Sequence, residues 1–171
     1  GDIDMLVPPA RFEVSEQILQ SARFVEETTL RVTGRSSTWR MAGMAPEVRS
    51  VELDHAENPW SVDLHQALDR PYCRGLWSRY DSTPWENLEA WETSGERACV
   101  LSQPLQTVHL AEHASHPISV TRLIRIVELV TVIRTDLAAG RLDWQSLAAM
   151  LTTTRLWRFV YPAFEMAERL A

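Results

Sequence analysis

The opening stretch GDIDMLV sets two carboxylates, Asp2 and Asp4, among Ile3, Met5, Leu6 and Val7. In a β-strand side chains alternate faces, so Asp2 and Asp4 project with Leu6 while Ile3, Met5 and Val7 project oppositely. The expectation is a buried strand with a paired-carboxylate edge. Two like charges so close repel, and the pair persists where a cation, a shared proton or open water offsets the repulsion. A D-x-D strand joined by a third carboxylate on a neighbouring strand can hold two divalent cations, which activate an attacking oxygen and neutralise phosphate charge. Asp63, in SVDLHQAL, is one candidate for that third group. Glu52 and Asp54, in VELDH, also share one strand face and compete with it. A solvent-facing acidic strand accounts for DID without any ion. His65, two residues beyond Asp63, either touches substrate, orients Asp63 or simply sits on the polar face.

A second constellation is HLAEH, residues 109 to 113, followed by His116. On a helix His109 and His113 could bind zinc with Glu112 as general base, the pattern of a zinc hydrolase. Its third ligand would come from Glu128, Glu165 or Glu168; otherwise the histidines pack or cap the helix. Arg31, Arg35, Arg40 and Arg49 surround Gly34. Guanidinium groups clamp phosphate well, and Arg35 and Arg40 are the candidates for substrate contact. The seven tryptophans are scattered without basic interleaving, which favours core filling over base stacking.

Bulk properties narrow the chemistry. All 17 basic residues are arginine, so no lysine is present to form a Schiff base. A net charge of −6 opposes a broad duplex nucleic-acid footprint. Cys73 and Cys99 have neither CxxC spacing nor a histidine ladder, which argues against a cysteine zinc site or a disulfide framework. There is no leader-like start and no apolar run long enough to cross a bilayer, so no membrane association is expected and the cytoplasm is the default location.

The elements that must position these groups follow from punctuation and periodicity. Pro8-Pro9 can start a helix, and Phe12, Ile18, Leu19 and Ala22 make residues 9 to 22 amphipathic. Residues 24 to 32 read as extended and 34 to 37 as a loop. The alternation of EVRSVELD, residues 47 to 54, and of WSVDLHQAL suggests two adjacent antiparallel strands, with Val62 and Leu64 facing opposite to Asp63 and His65. Residues 71 to 102 are mixed, with a short helix expected at 84 to 91. Helices are expected at 103 to 115, 118 to 139 and 143 to 170, the last broken near Thr154 or Pro162. The middle one carries a stripe of Leu123, Ile126, Val127, Val130, Ile133 and Leu137, ends at Gly140, and is followed by Asp143 as the next N-cap. The organisation expected is a 1–70 α/β core, a 71–102 connector and a 103–171 helical region.

GDIDMLV, then a helix, an extended region and SVDLHQAL, resembles the uncharacterised bacterial nucleotidyltransferase family, a branch of the polymerase-β-like nucleotidyltransferase superfamily with the pattern gDiDlLV … vDLHw.l. VLSQPLQTVHLAEHASH, the long helix, LDWQSLAAML and VYPAFEMAERL are similar to that family's tail. The resemblance implies an α+β fold, a small mixed β-sheet backed by helices and followed by a helical C-terminal half. It further implies transfer of an NMP group from an NTP to an unidentified acceptor, small molecule or protein, with Mg²⁺ or Mn²⁺ held by Asp2, Asp4 and Asp63. Family members have an upstream strand and a Gly-Ser loop for the triphosphate, and Gly1 stands where that element should have ended. The expectation is therefore a truncated core whose open sheet edge pairs with another copy to give a homo-oligomer. Gln66 replaces the family's tryptophan, and Glu128 stands near its usual helical aspartate. The competing functions are a non-catalytic scaffold that keeps the fold, and the zinc hydrolase.

Overall fold

The computed structural model describes residues 2–27, 36–44, 58–72, 75–81, 83–93, 95–116 and 123–170. The chain forms two units, Gly1–Leu68 and Asp69–Ala171. The architecture is α+β: a small mixed sheet backed by a helix in the first unit, and a mainly helical second unit.

The first unit runs β1 (Asp2–Leu6), a 3-10 turn at Pro9–Arg11, α1 (Phe12–Ser21), β2 (Phe24–Glu26), β3 (Ser36–Met41) and β4 (Ser61–His65). The sheet order is β1-β4-β3-β2, with β1 parallel to β4 and both β4 and β2 antiparallel to β3. One sheet face is apolar. Phe12 from α1 is buried with Trp39, Val62 and Leu64, and Val7, Leu19 and Phe24 pack around them. Each of these large buried side chains stabilises the unit by about 2 kcal/mol. The Trp39 indole N–H donates to Ser37 Oγ at 2.8 Å, and that hydroxyl donates to Glu16 Oε1 of α1 at 3.3 Å. The core therefore leaves the indole's polar atom satisfied and fixes how the helix lies on the sheet.

Three expectations change here. Among the described residues β1 pairs with β4 alone, and where a buried strand was expected Ile3 is 49% and Met5 44% exposed. The antiparallel neighbour of β4 is β3, because β1 occupies its other side; the strand expected over 47 to 54 lies outside the described residues. Ser36 and Ser37, expected in a loop, open β3, where pairing with His65 and Leu64 supplies the hydrogen bonds a loop would lack.

The second unit begins with a two-stranded ribbon, β5 (Arg70–Pro71) and β6 (Trp77–Ser78), then α2 (Thr83–Glu86) and a hairpin of β7 (Leu88–Thr93) with β8 (Glu96–Leu101). The helix expected at 84 to 91 thus stops after one turn. Asn87 Nδ2 donates back to the Thr83 carbonyl at 2.8 Å, and residues 88 to 93 find cross-strand partners around Gly95 at φ +82. That pairing outweighs local helix preference.

Four helices complete the unit: α3 (Leu105–Ser115), α4 (Leu123–Ala138), α5 (Trp144–Thr154) and α6 (Trp157–Leu170). Their core joins Leu105 and Val108 with Ile126, Leu129, Leu156 and Val160, all fully buried. The inward stripe of α4 is Ile126, Leu129, Ile133 and Asp136, rotated from the expected one; Leu123 and Val127 are exposed. A carboxylate can face inward because Arg141 and Gln103 both donate to Asp136. Burial works to raise its pKa, and these hydrogen bonds outweigh burial and hold it below the usual value. The helix ends as expected at Gly140, φ +69, where the amides of Arg141 and Leu142 return to the Asp136 carbonyl. Asp143 caps α5 by accepting from the Ser146 amide at 2.8 Å.

The last helical stretch breaks at Arg155, which takes φ +57, and not at Pro162, which lies within α6. A proline disrupts the helical ladder around it. Here the Ala163 amide donates to Ser115 Oγ of α3 at 3.1 Å, and that hydroxyl lies 3.5 Å from the Val160 carbonyl. The Ala163 amide beside the proline is thereby satisfied by a neighbouring helix. Among the described residues no helix is long and apolar enough to cross a membrane.

Candidate metal centre

The sheet face opposite α1 carries the polar residues of three strands. Parallel register sets Asp4 beside Asp63 and Leu6 beside His65, and antiparallel register sets Thr38 beside Asp63 and Arg40 beside Ser61. Alternation along each strand then assigns Asp4, Asp63, His65, Thr38 and Arg40 to one face, while Val62, Leu64 and Trp39 enter the core. Asp63 is thus held by a central strand whose other face is locked in apolar packing. Asp4 is carried by the edge.

Ligand atoms of Asp4, Asp63 and His65 all lie within 4.8 Å of one another, a spacing a single cation can span. His65 Nε2 is 3.0 Å from Asp4 Oδ1. Asp63 Oδ1 is buried and, among the described residues, has no hydrogen-bond partner. A buried carboxylate oxygen without a donor is costly, and a divalent cation would satisfy it. The donor set therefore fits a divalent metal on its chemistry: two hard carboxylates and one imidazole.

The other sequence candidates distribute as follows. Asp2 occupies the register position opposite Ser61, two residues from Asp4 along β1; its side chain lies outside the described part of the chain. Arg40 is on the site face, with Nη2 2.6 Å from Glu27 Oε1 and Nε buried without a partner among the described residues. Arg31, Arg35 and Arg49 lie outside the described residues, as do the rival carboxylates Glu52 and Asp54. His65 reaches Asp4, a contact outside the three expected readings of substrate contact, orientation of Asp63 or a plain polar-face position. Thr38 was not singled out; the alternation of SSTWRM, with Trp39 inward, is the signal for its face, and the β3–β4 register then sets it beside Asp63.

The HLAEH stretch lies on α3 as expected. Glu112 is fully buried and already engaged: Tyr72 donates to its Oε1 at 2.9 Å, Ser78 to the same oxygen at 3.1 Å, and Arg70 Nε lies 3.0 Å from Oε2. Burial pushes the Glu112 carboxyl above its usual value, with Arg70 pulling the other way. The Tyr72 and Tyr80 hydroxyls are raised as well, by burial first and then by the Glu112 charge. The rings of His109 and His113 stack at 6.2 Å, and Tyr80 meets His109 edge-on. Among the described residues, no three-ligand group forms around these histidines. A carboxylate so completely buried and ion-paired to Arg70 is poorly placed to deprotonate a water.

A small mixed sheet backed by a helix, followed by a helical half, is the fold that the sequence resemblance implies. A family model described as uncharacterised nucleotidyltransferase matches residues 1–171. The chain belongs to that nucleotidyltransferase family. No curated protein and no solved structure gives a significant match.

Proposed function

We propose that this chain moves an NMP group from an NTP to an acceptor hydroxyl, small molecule or protein, with Mg²⁺ or Mn²⁺ held by Asp2, Asp4 and Asp63. The observation that carries the reading is the Asp63 carboxylate: beside Asp4 on the adjacent strand, with Oδ1 buried and without a partner among the described residues. A bound divalent cation would neutralise triphosphate charge and lower the pKa of the acceptor hydroxyl. The chain's own residues hold and aim. Asp63 is fixed by a strand anchored through Val62 and Leu64, so its carboxylate needs little reorganisation to bind. Arg40, two residues along β3 from Thr38, offers guanidinium charge on the same face; exchanging Glu27 for a phosphate oxygen would keep that charge paired. The acceptor oxygen then bonds to the α-phosphorus in line, pyrophosphate departs with the electron pair of the broken P–O bond, and the acceptor's proton passes to water. The α/β core expected over residues 1–70 would carry the chemistry. The cytoplasm, where NTPs are held, is the compartment this reading requires.

The test is calorimetric titration of Mn²⁺ with each of the four NTPs into the protein and its Asp63→Ala variant. One NTP should bind the parent and lose at least about 100-fold in the variant. Equal binding by both proteins would remove Asp63 from the site and the proposal with it.

A further inference from the structure

We infer that His65 is itself a metal ligand, so that the centre has a mixed carboxylate and imidazole donor set and selects Mn²⁺ over Mg²⁺. The inference rests on the metal-dependent reading above and concerns which ion that site takes.

Geometry comes first. His65 follows Asp63 by two residues, a strand step that separates backbone positions by about 6.6 Å. Yet the ligand atoms of Asp4, Asp63 and His65 fall within 4.8 Å of one another. The side chains lean toward one point; they do not stand parallel. In six-coordinate geometry with bonds of about 2.1 Å, adjacent ligand atoms lie about 3.0 Å apart and opposite ones about 4.2 Å. The 3.0 Å between His65 Nε2 and Asp4 Oδ1 is the adjacent spacing.

The competing account is that His65 only donates a hydrogen bond that orients Asp4. The distribution of need argues against it. The Asp4 side chain is 56% exposed and can be solvated by water, whereas Asp63 Oδ1 is buried and has no donor among the described residues. A histidine serving only to satisfy carboxylates would be spent on the one that needs it least. A cation among the three groups uses the imidazole lone pair, the Asp4 oxygen and the orphaned Asp63 oxygen together.

Donor chemistry then sets the ion. Mg²⁺ demands near-ideal octahedral oxygen coordination and sheds water reluctantly. An imidazole shifts preference toward transition metals, and the two carboxylates keep the site hard enough for Mn²⁺. Open positions remain for triphosphate oxygens.

The experiment is an EPR titration of Mn²⁺ into the protein, with Mg²⁺ as competitor, followed by pulsed EPR for ¹⁴N coupling to the bound ion. The parent should prefer Mn²⁺ by about tenfold or more and show imidazole nitrogen modulation. His65→Asp should still bind metal, lose the modulation, and bring the two ions to within about threefold. Mn²⁺ bound by the parent without nitrogen coupling, or an unchanged ion ratio in His65→Asp, would overturn the ligand role while leaving the carboxylate site intact. No Mn²⁺ binding by the parent would overturn this inference and the metal reading together, and circular dichroism of each variant separates lost binding from lost folding.

Discussion

Two carboxylate clusters with neighbouring histidines stand in this molecule, and they are finished to different degrees. Around Glu112 the countercharge comes from within: two hydroxyls donate to Oε1 and the Arg70 guanidinium lies 3.0 Å from Oε2, although Oε2, like Asp63 Oδ1, is buried and takes no hydrogen bond among the described residues. Around Asp63 the demands are left open: a second carboxylate alongside, a histidine turned to that second carboxylate, and a buried oxygen with no donor among the described residues. The first arrangement carries its own countercharge, and the second has the donor set of the proposed cation site. The contrast teaches that residue types alone do not mark a site; what marks it is unmet electrostatic need on a rigid frame.

The comparison is broken if substitutions at the two clusters behave alike. The largest separation should come from Asp63→Asn, which should cost at least about 100-fold in Mn²⁺ affinity while leaving the urea midpoint equal to or above that of the parent, since it removes one of two adjacent like charges. A fall in the midpoint would make Asp63 a structural residue like Glu112. Glu112→Leu should do the reverse. It removes the partner of Arg70 and of two hydroxyls and should cost about 3 kcal/mol in urea unfolding, with metal binding unchanged.

The smallest effect is a tilt with pH that sharpens the contrast. The folded-state pKa of Glu112 is raised above its unfolded value. Between those two values the folded protein binds more protons than the unfolded one, so the contribution of this group is fully present below the unfolded pKa and declines as pH rises through the folded one. Urea midpoints measured from pH 4.5 upward should therefore fall more steeply for the parent than for Glu112→Gln; parallel curves would contradict the assignment.

Much of the site was legible in the sequence because its logic is local and periodic. DID and VDLH each place polar and apolar groups on opposite faces, and a period of two leaves little freedom about which goes inward. What alternation cannot supply is which strands are neighbours. The parallel pairing of β1 with β4 joins residues nearly a whole unit apart, and β3 begins within SSTWRM, where Gly34-Arg35-Ser36-Ser37 reads as a turn. The fold of the second unit was legible where caps are chemical, at Gly140 and Asp143, and less so where tertiary contacts decide. The stripe on α4 is turned because Asp136 finds Arg141 and Gln103, and Pro162 stays helical because Ser115 lies beside it. The short helix expected at 84 to 91 yields to hairpin pairing for the same reason.

Among the described strands Asp4 stands on the outermost, which bears on the lifetime of that strand. With one hydrogen-bonded neighbour among the described residues, β1 can open more readily than β3 or β4, which have two each. An ion shared by Asp4 and Asp63 would act as a removable cross-link between positions 59 residues apart in the chain, closing a long loop. Amide hydrogens along β1 should then exchange with solvent markedly more slowly when Mn²⁺ is added, while those of α3 keep their rates. Cargo and clasp would be one and the same: the ion that prepares the chemistry would also hold shut the edge from which it is bound.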